Sequence, residues 1–104
     1  MTPSRAAEIG PTFGLAGALH LPFFYRTTGG AEVDLLLELP GGTLWAIEIK
    51  LGLTAKVERG FHSACDDLKP TRRFVVYSGH DRYPKPHDVE AVGLRELASM
   101  LASQ

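Results

Sequence analysis

The sequence predicts a single α/β domain, in which helices pack against a central β-sheet. The chain of 104 residues has the usual size of one domain and is too short for two. Residues 31–39 and 44–51 carry hydrophobic side chains at every second position, whereas residues 54–68 and 94–101 carry them at helical spacing. Strands and helices that follow each other in this way are typical of a sheet covered by helices. We therefore expect residues 1–104 to form one domain.

The N-terminal third predicts little regular structure before the first strand. Over residues 1–19 only a short first helix is expected, because three glycines and Pro11 interrupt the helical pattern. Residues 21–28 are rich in aromatic and β-branched side chains and end at a glycine pair, which predicts a strand before a turn. Pro22 indicates that this strand begins at a sheet edge.

Residues 31–39 and 44–51 predict two antiparallel strands joined at Pro40-Gly41-Gly42. Period-two geometry gives each strand one apolar face, with Val33, Leu35, Leu37 and Leu39 on the first strand and Trp45, Ile47, Ile49 and Leu51 on the second. The opposite faces carry Glu32, Asp34, Leu36 and Glu38, and then Leu44, Ala46, Glu48 and Lys50. Each predicted strand thus carries its acidic and basic side chains on the face opposite its apolar face.

The C-terminal half predicts a helix, two strands and a last helix. With Thr54 as N-cap, apolar residues recur at helical spacing up to Pro70, which predicts a helix of roughly fourteen residues. Residues 74–77 resemble a buried strand, and their position after a helix predicts a crossover with parallel pairing. A polar loop, a short strand over 87–92 and a final amphipathic helix from Leu94 follow.

Composition limits the classes of function. Eleven Lys and Arg residues against twelve Asp and Glu residues give a formal charge of −1, so the whole protein exerts no overall attraction on nucleic acid or acidic membranes. No apolar run approaches the roughly 18 to 20 residues needed to cross a bilayer, and no targeting segment is recognisable. The single cysteine, Cys65, has no partner for an intramolecular disulfide, which predicts a cytoplasmic location.

The chemistry-bearing residues lie in Glu32-Val33-Asp34 and, after thirteen intervening residues, in Glu48-Ile49-Lys50. If the two polar faces coincide, Asp34 and Glu48 can bind Mg²⁺ or Mn²⁺, with water and the carbonyl of Ile49 as further oxygen ligands. Such a site suits phosphodiester hydrolysis, in which Lys50 would orient water or stabilise charge in the transition state. Carboxylates and lysines that alternate along a strand are, however, more often a solvated face.

The register of the hairpin decides between these interpretations. A loop of two or four residues centred on Gly41-Gly42 would pair Asp34 with Ile49 and would separate the two acidic groups onto opposite faces. A loop of odd length or a glycine bulge would instead bring Asp34 opposite Glu48 or Lys50. We therefore predict a bulge, or a loop of three or five residues, at this position.

Three segments, Phe24-Tyr25-Arg26-Thr27, Gly30-Ala31-Glu32-Val33-Asp34 and Ala46-Ile47-Glu48-Ile49-Lys50, resemble an uncharacterised nuclease-like domain found C-terminal to prokaryotic AAA-type ATPase modules. That domain is similar to the PD-(D/E)xK nuclease superfamily. The resemblance implies a restriction-endonuclease-like mixed central sheet flanked by helices.

By position, the resemblance makes Asp34 and Glu48 the metal ligands, Lys50 the catalytic lysine and Glu32 an accessory acid. Two departures from the pattern are visible. The superfamily usually contributes another Glu from a helix before the first strand, and only Glu8 is available here. The chain also contains no GxxxxGK[ST] loop, so it carries no ATPase module of its own.

Basic side chains provide candidate contacts to nucleic-acid phosphates. Lys56 and Arg59 are predicted on the helix after the site, and Arg26 is predicted on the first strand. A second basic run, Lys69, Arg72 and Arg73, could extend a phosphate track.

Two functions are compatible with the sequence. The first is a Mg²⁺-dependent nuclease that hydrolyses DNA through Asp34, Glu48 and Lys50. The second is a catalytically inactive nuclease-like module that binds a protein partner or forms a homodimer. Convergence of the three residues with metal binding favours the first, and an exposed apolar patch favours the second.

Overall fold

The computed structural model describes residues 7–11 and 21–104, with side chains described from Phe23 onward. The elements in chain order are β1 (Ala7–Pro11), β2 (Leu21–Thr27), β3 (Glu32–Glu38), β4 (Leu44–Ile49), α1 (Arg59–Leu68), β5 (Arg72–Tyr77), β6 (Tyr83–Lys85), β7 (Val89–Gly93) and α2 (Leu94–Ala102). The predicted combination of a mixed sheet with two helices from the middle of the chain onward is confirmed.

The strands form one seven-stranded sheet in the order β1-β2-β3-β4-β5-β7-β6. Strands β1 to β4 form an antiparallel meander, β4, β5 and β7 run parallel, and β6 returns antiparallel to β7. The predicted crossover through α1 into parallel pairing is therefore present. It is required because parallel strands cannot be joined by a tight hairpin.

The hairpin between β3 and β4 has the predicted odd loop. Glu38 pairs with Leu44, and the Leu39 N–H donates to the Thr43 carbonyl at 2.8 Å, which leaves Pro40, Gly41 and Gly42 as the turn. The two glycines adopt φ angles of +90° and +86°, a conformation that side chains disfavour. The same register pairs Leu35 with Ile47, so that one further step brings Asp34 level with Glu48.

A bulge in β3 changes the faces predicted for this strand. Phe23 pairs with Leu36 but Tyr25 pairs with Val33, so two residues of β3, Asp34 and Leu35, lie opposite one residue of β2. Val33 consequently joins the buried cluster that contains Leu36 rather than the cluster that contains Leu35. The prediction that Val33 shares a face with Leu35 is wrong for this reason.

In the part of the chain that the structure describes, each face of the sheet carries one helix and one hydrophobic core. Phe61, Ala64 and Cys65 of α1 pack on one face with Leu36, Ala46, Val75 and Ala91. Leu97 and Leu101 of α2 pack on the other face with Leu37, Trp45, Ile47, Phe74 and Val92. Because alternate strand residues point to opposite faces, β4 and β5 contribute to both cores. β4 is apolar except for Glu48, and the last four residues of β5 are all buried.

Helix α1 starts later than predicted. It begins at Arg59 with Glu58 as N-cap, not after Thr54. The chain between β4 and the helix bends at residues 51–53 and has no regular structure over 54–58. At its end Glu58 has an extended backbone, and its N–H donates to the buried Glu48 carboxylate at 3.2 Å. Thr54 is exposed, and the helix spans 10 residues rather than fourteen.

Three further predictions about elements fail. Residues 7–11 form strand β1 and not part of a helix, while residues 1–6 and 12–20 lie outside the described residues. The loop predicted after β5 contains the short strand β6, which pairs with β7. Strand β2 lies inside the sheet, because β1 and β3 flank it. The pairing of β2 with β1 starts at Phe23, so Pro22 lies beyond the end of β1.

Neither helix in the described part of the chain has the length and apolar character needed to span a membrane.

Candidate metal site at the ends of two strands

The predicted site residues line a cleft of about 300 Å³ at the end of β4 that faces α1. The cleft is formed by the start of β3, the end of β4 and the first turn of α1. Its lining consists of Gly30, Glu32, Asp34, Glu48, Ile49, Lys50, Glu58, Gly60 and Phe61. The register of the hairpin brings the two acidic strands together here, as the sequence predicts.

Asp34 lies at the bulge of β3 and is exposed. Its Oδ2 accepts a hydrogen bond from the Ile49 N–H at 2.9 Å. The carboxylate therefore takes the place of a backbone acceptor beyond the Leu35–Ile47 pair, the last pair of β3 with β4 at this end. This contact fixes Asp34 against the end of β4 and leaves its second oxygen outside the bond.

Glu48 is a charged residue in an apolar setting, with only 7% of its surface exposed. Its Oε1 accepts the Glu58 N–H at 3.2 Å, and its Oε2 lies 3.3 Å from the Lys50 ammonium. Burial raises the pKa of Glu48 above its ordinary value, and the Glu58 N–H and Lys50 oppose that rise only in part. The negative charge of Asp34 adds to the rise. A cation would therefore stabilise the ionised carboxylate.

Lys50 has its shortest contact with Glu58, a residue that the sequence analysis did not identify. The Lys50 Nζ donates to Glu58 Oε2 at 2.7 Å. This hydrogen bond raises the pKa of Lys50 and lowers the pKa of Glu58. A helix starting at Thr54 would have placed Glu58 within its first turn, and no local pattern distinguishes it from an ordinary acid there. Only the late start of α1 brings it to the cleft.

The remaining predicted residues lie around the same cleft. Glu32 lines it, and its Oε2 is 3.8 Å from Arg26 Nε on the neighbouring strand. Lys56 and Arg59 are both exposed and flank Glu58 along the chain. Of these three basic residues, Arg26 contacts a residue of the cleft, whereas Lys56 and Arg59 are near Glu58 in the sequence.

The second basic run does not belong to the cleft. Arg72 pairs with Glu90 at 2.9 Å and stacks over Trp45, which it opposes at the far end of β4. Arg73 donates to the carbonyl of His87 at 3.4 Å. The run is therefore held by intramolecular contacts away from Glu48 and Lys50.

The donor set of the cleft fits a hard divalent cation. Four carboxylates, from Glu32, Asp34, Glu48 and Glu58, line it against one ammonium group. Oxygen ligands and excess negative charge are what Mg²⁺ and Mn²⁺ prefer. Among the described residues no group of three or more His, Cys, Asp or Glu side chains is arranged so that it could hold a metal ion. Two carboxylates, a backbone carbonyl and water remain compatible with this finding.

A larger apolar groove of about 1230 Å³ adjoins the cleft on the α2 side of the sheet. Asp34, Ile49 and Lys50 line both cavities, and Leu51 and Leu94 extend the groove. Ile49 is 45% exposed, Leu94 54% and Leu51 92%. The candidate site therefore opens beside an exposed apolar surface. The convergence of acidic residues and a lysine that a nuclease requires thus occurs together with the apolar patch expected of a binding module.

Residues 12–97 match the family described as "Domain of unknown function (DUF4143)". Two uncharacterised proteins, Mb2031c of Mycobacterium bovis and Rv2008c of Mycobacterium tuberculosis, are each 39% identical to the chain over 70 residues. That segment makes up 67% of this chain and 16% of each relative, so the chain corresponds to a small part of those proteins. No solved structure gives a significant match. Because the family match covers well over half of the residues, the chain belongs to the DUF4143 family of domains of unknown function.

Proposed function

We propose that this domain is a metal-dependent nuclease of the PD-(D/E)xK kind that hydrolyses phosphodiester bonds in DNA. One observation carries the proposal: a buried glutamate, an exposed aspartate and a lysine meet in one cleft at the ends of two paired strands. Burying Glu48 costs free energy unless its charge is compensated. The hairpin loop of odd length also aligns Asp34 with Glu48, as such a site requires.

Asp34 and Glu48, with the carbonyl of Ile49, would hold Mg²⁺ or Mn²⁺. Each carboxylate is oriented by one backbone N–H, from Ile49 and from Glu58 respectively. Groups held in this way need little reordering when a ligand binds. A bound Mg²⁺ would supply activation of water and neutralisation of charge on the phosphate oxygens.

Lys50 and Glu32 complete the proposed catalytic group. In hydrolysis a water oxygen bonds to phosphorus, one P–O ester bond breaks and the leaving oxygen takes a proton. The Lys50 ammonium, 24% exposed, donates hydrogen bonds to a phosphate oxygen at the mouth of the cleft. Glu32 keeps Arg26 close to the same mouth.

Contacts to DNA come from Arg26, Lys56 and Arg59. The formal charge of −1 provides no overall attraction, so binding depends on these local cations. All three are exposed: Arg26 lies 3.8 Å from Glu32, Arg59 directly follows Glu58, and Lys56 precedes Glu58 by two residues. A mixed sheet with one helix on each face is compatible with the restriction-endonuclease-like fold that we propose for the domain.

A titration of Mn²⁺ by calorimetry tests the metal site. We expect the wild type to bind and Asp34→Asn to bind about 10-fold more weakly or worse, because the variant keeps the shape but loses a charged ligand. Glu38→Gln is the matched control, since Glu38 is an exposed glutamate at the other end of β3. Absence of binding to the wild type would refute the proposal.

A cleavage assay on plasmid DNA with Mg²⁺ tests the activity itself. Cleavage that is lost in both Asp34→Asn and Lys50→Ala supports the proposal. Cleavage that survives both substitutions would come from a contaminating enzyme.

The apolar groove favours a second candidate function, binding of a protein partner or a homodimer. Leu51 and Leu53 are 92% and 76% exposed, which is costly for a surface that only contacts water. The matched relatives are much longer than this domain, and in those proteins a neighbouring module would be a candidate partner. Light scattering at increasing protein concentration tests the homodimer. If it forms, the molar mass of the wild type should rise toward that of a dimer, and Leu51→Ser should have a lower molar mass at the same concentration.

We also propose a cytoplasmic location. Cys65 is a free thiol buried in the core beside α1, and an unpaired thiol suits a reducing compartment.

A further inference from the structure

We propose that Glu58 is a positioning residue: it draws the Lys50 ammonium toward its own carboxylate and thereby weakens the contact of that ammonium with the Glu48 oxygen that a divalent cation would use. This inference rests on the proposed function, because it concerns the same metal site. Nothing in the E-x-K pattern itself points to Glu58.

Two distances carry the inference. The Lys50 ammonium lies 2.7 Å from Glu58 Oε2 but 3.3 Å from Glu48 Oε2. The first is a short charge-assisted hydrogen bond, whereas the second is a longer and weaker contact, so the ammonium bridges both carboxylates but lies closer to Glu58. The ammonium therefore has Glu58 as its principal partner, although Glu48 lies only two residues away along the chain.

The backbone fixes this arrangement. The N–H of Glu58 donates to Glu48 Oε1 at 3.2 Å, which ties the start of α1 to the end of β4. The side chain of Glu58 then reaches back from the N-cap position to Lys50. One residue thus occupies Oε1 of Glu48 through its backbone and draws the lysine from Oε2 through its side chain.

Loss of the Glu58 carboxylate would change the partner of Lys50. Glu48 is buried and its ionised form is stabilised by any nearby cation. An ammonium released by Glu58 would move onto Glu48 Oε2, where it would compete with a metal ion for the same oxygen. Glu58 therefore affects metal affinity through Lys50 and not as a ligand.

A double-mutant cycle with Mn²⁺ titration separates these roles. The proteins are the wild type, Glu58→Gln, Lys50→Met and the double variant, with Glu38→Gln as the control for removal of one exposed glutamate. We expect Glu58→Gln alone to weaken Mn²⁺ binding about five-fold or more. In the Lys50→Met background the same substitution should change the affinity by less than about two-fold. Glu58→Asp keeps a carboxylate and should recover part of the affinity.

Each outcome has a defined meaning. If Glu58→Gln weakens binding equally in both backgrounds, Glu58 is a ligand or a structural residue and the inference is wrong. If Glu58→Gln has no effect beyond that of Glu38→Gln, the inference is also wrong, although the metal site stands. If the wild type does not bind Mn²⁺, the proposed function fails and the inference fails with it. All variants keep the Glu58 N–H and therefore its bond to Glu48, so we expect them to fold. Circular dichroism of each variant checks that it is folded.

Discussion

At the scale of single residues, burial determines the chemistry of Cys65. Its side chain is enclosed by the core between the sheet and α1 and has no exposed surface. Burial raises the pKa of the Cys65 thiol from 9.0 to about 11, because the thiolate cannot be solvated there. The residue is therefore a small apolar core residue, as the helical pattern indicates, and not a nucleophile.

This shift predicts how stability depends on alkaline pH. The unfolded chain loses the Cys65 proton near pH 9 and the native protein only near pH 11, so the free energy of unfolding falls as the pH rises across this interval. Between pH 8 and pH 10 the ionisation of the thiol should lower the free energy of unfolding by about 1 kcal/mol. Urea unfolding of the wild type and of Cys65→Ala at both pH values checks this prediction. Equal losses in the two proteins would contradict it.

At the scale of elements, two irregularities position the site. The bulge in β3 places Asp34 at the end of β4, and the loop of odd length aligns its strand with Glu48. The bulge and the loop both depend on local backbone geometry rather than on the carboxylates of the candidate site. The turn in particular depends on Gly41 and Gly42, whose φ angles are positive.

Substitution in this turn should therefore destabilise the protein more than substitution in an ordinary loop. Gly42→Ala forces a side chain into a positive φ and should cost about 1–2 kcal/mol of unfolding free energy. Gly52→Ala is the matched control, because Gly52 has no positive φ and its Cβ would meet nothing within 4 Å. We expect a change within about 0.5 kcal/mol for the control. If both substitutions lowered the free energy of unfolding equally, the positive φ of Gly42 would not be the cause of the destabilisation.

These elements also explain which features the sequence could predict. Strands β3 and β4 and helix α2 have clear hydrophobic periods, so their positions were predictable, and the two glycines indicated the loop of odd length. The face of Val33 and the start of α1 were not predictable. Both depend on contacts between distant segments, namely the pairing of β2 with β3 and the Glu58 N–H bond to Glu48.

The candidate site shows the same division. Asp34, Glu48 and Lys50 are visible as alternate residues of two strands, and the structure brings them to one cleft. The burial of Glu48 was not readable, because an E-x-K segment on a strand usually faces water. Glu58 was missed because its role follows only from the place where the helix begins.

At the scale of the whole molecule, two hydrophobic cores share one sheet. Phe61 lies in the core beside α1, whereas Leu97 and Trp45 lie in the core beside α2. The central strands contribute side chains to both cores, with Ala46 on one face and Ile47 on the other. Neither core can be lost while the central strands keep their pairing and burial, so the two faces should unfold together.

Fluorescence of the single tryptophan, Trp45, tests this coupling. Phe61→Leu removes volume on the α1 face and should lower the unfolding free energy by about 1–2 kcal/mol; Leu97→Val, on the face of Trp45, should cost about 1 kcal/mol. For both variants we expect the urea midpoints from Trp45 fluorescence and from far-ultraviolet circular dichroism to coincide, because a shared sheet gives one cooperative transition. A Phe61→Leu variant whose circular dichroism midpoint falls while its fluorescence midpoint stays at the wild-type value would show instead that the two faces unfold separately.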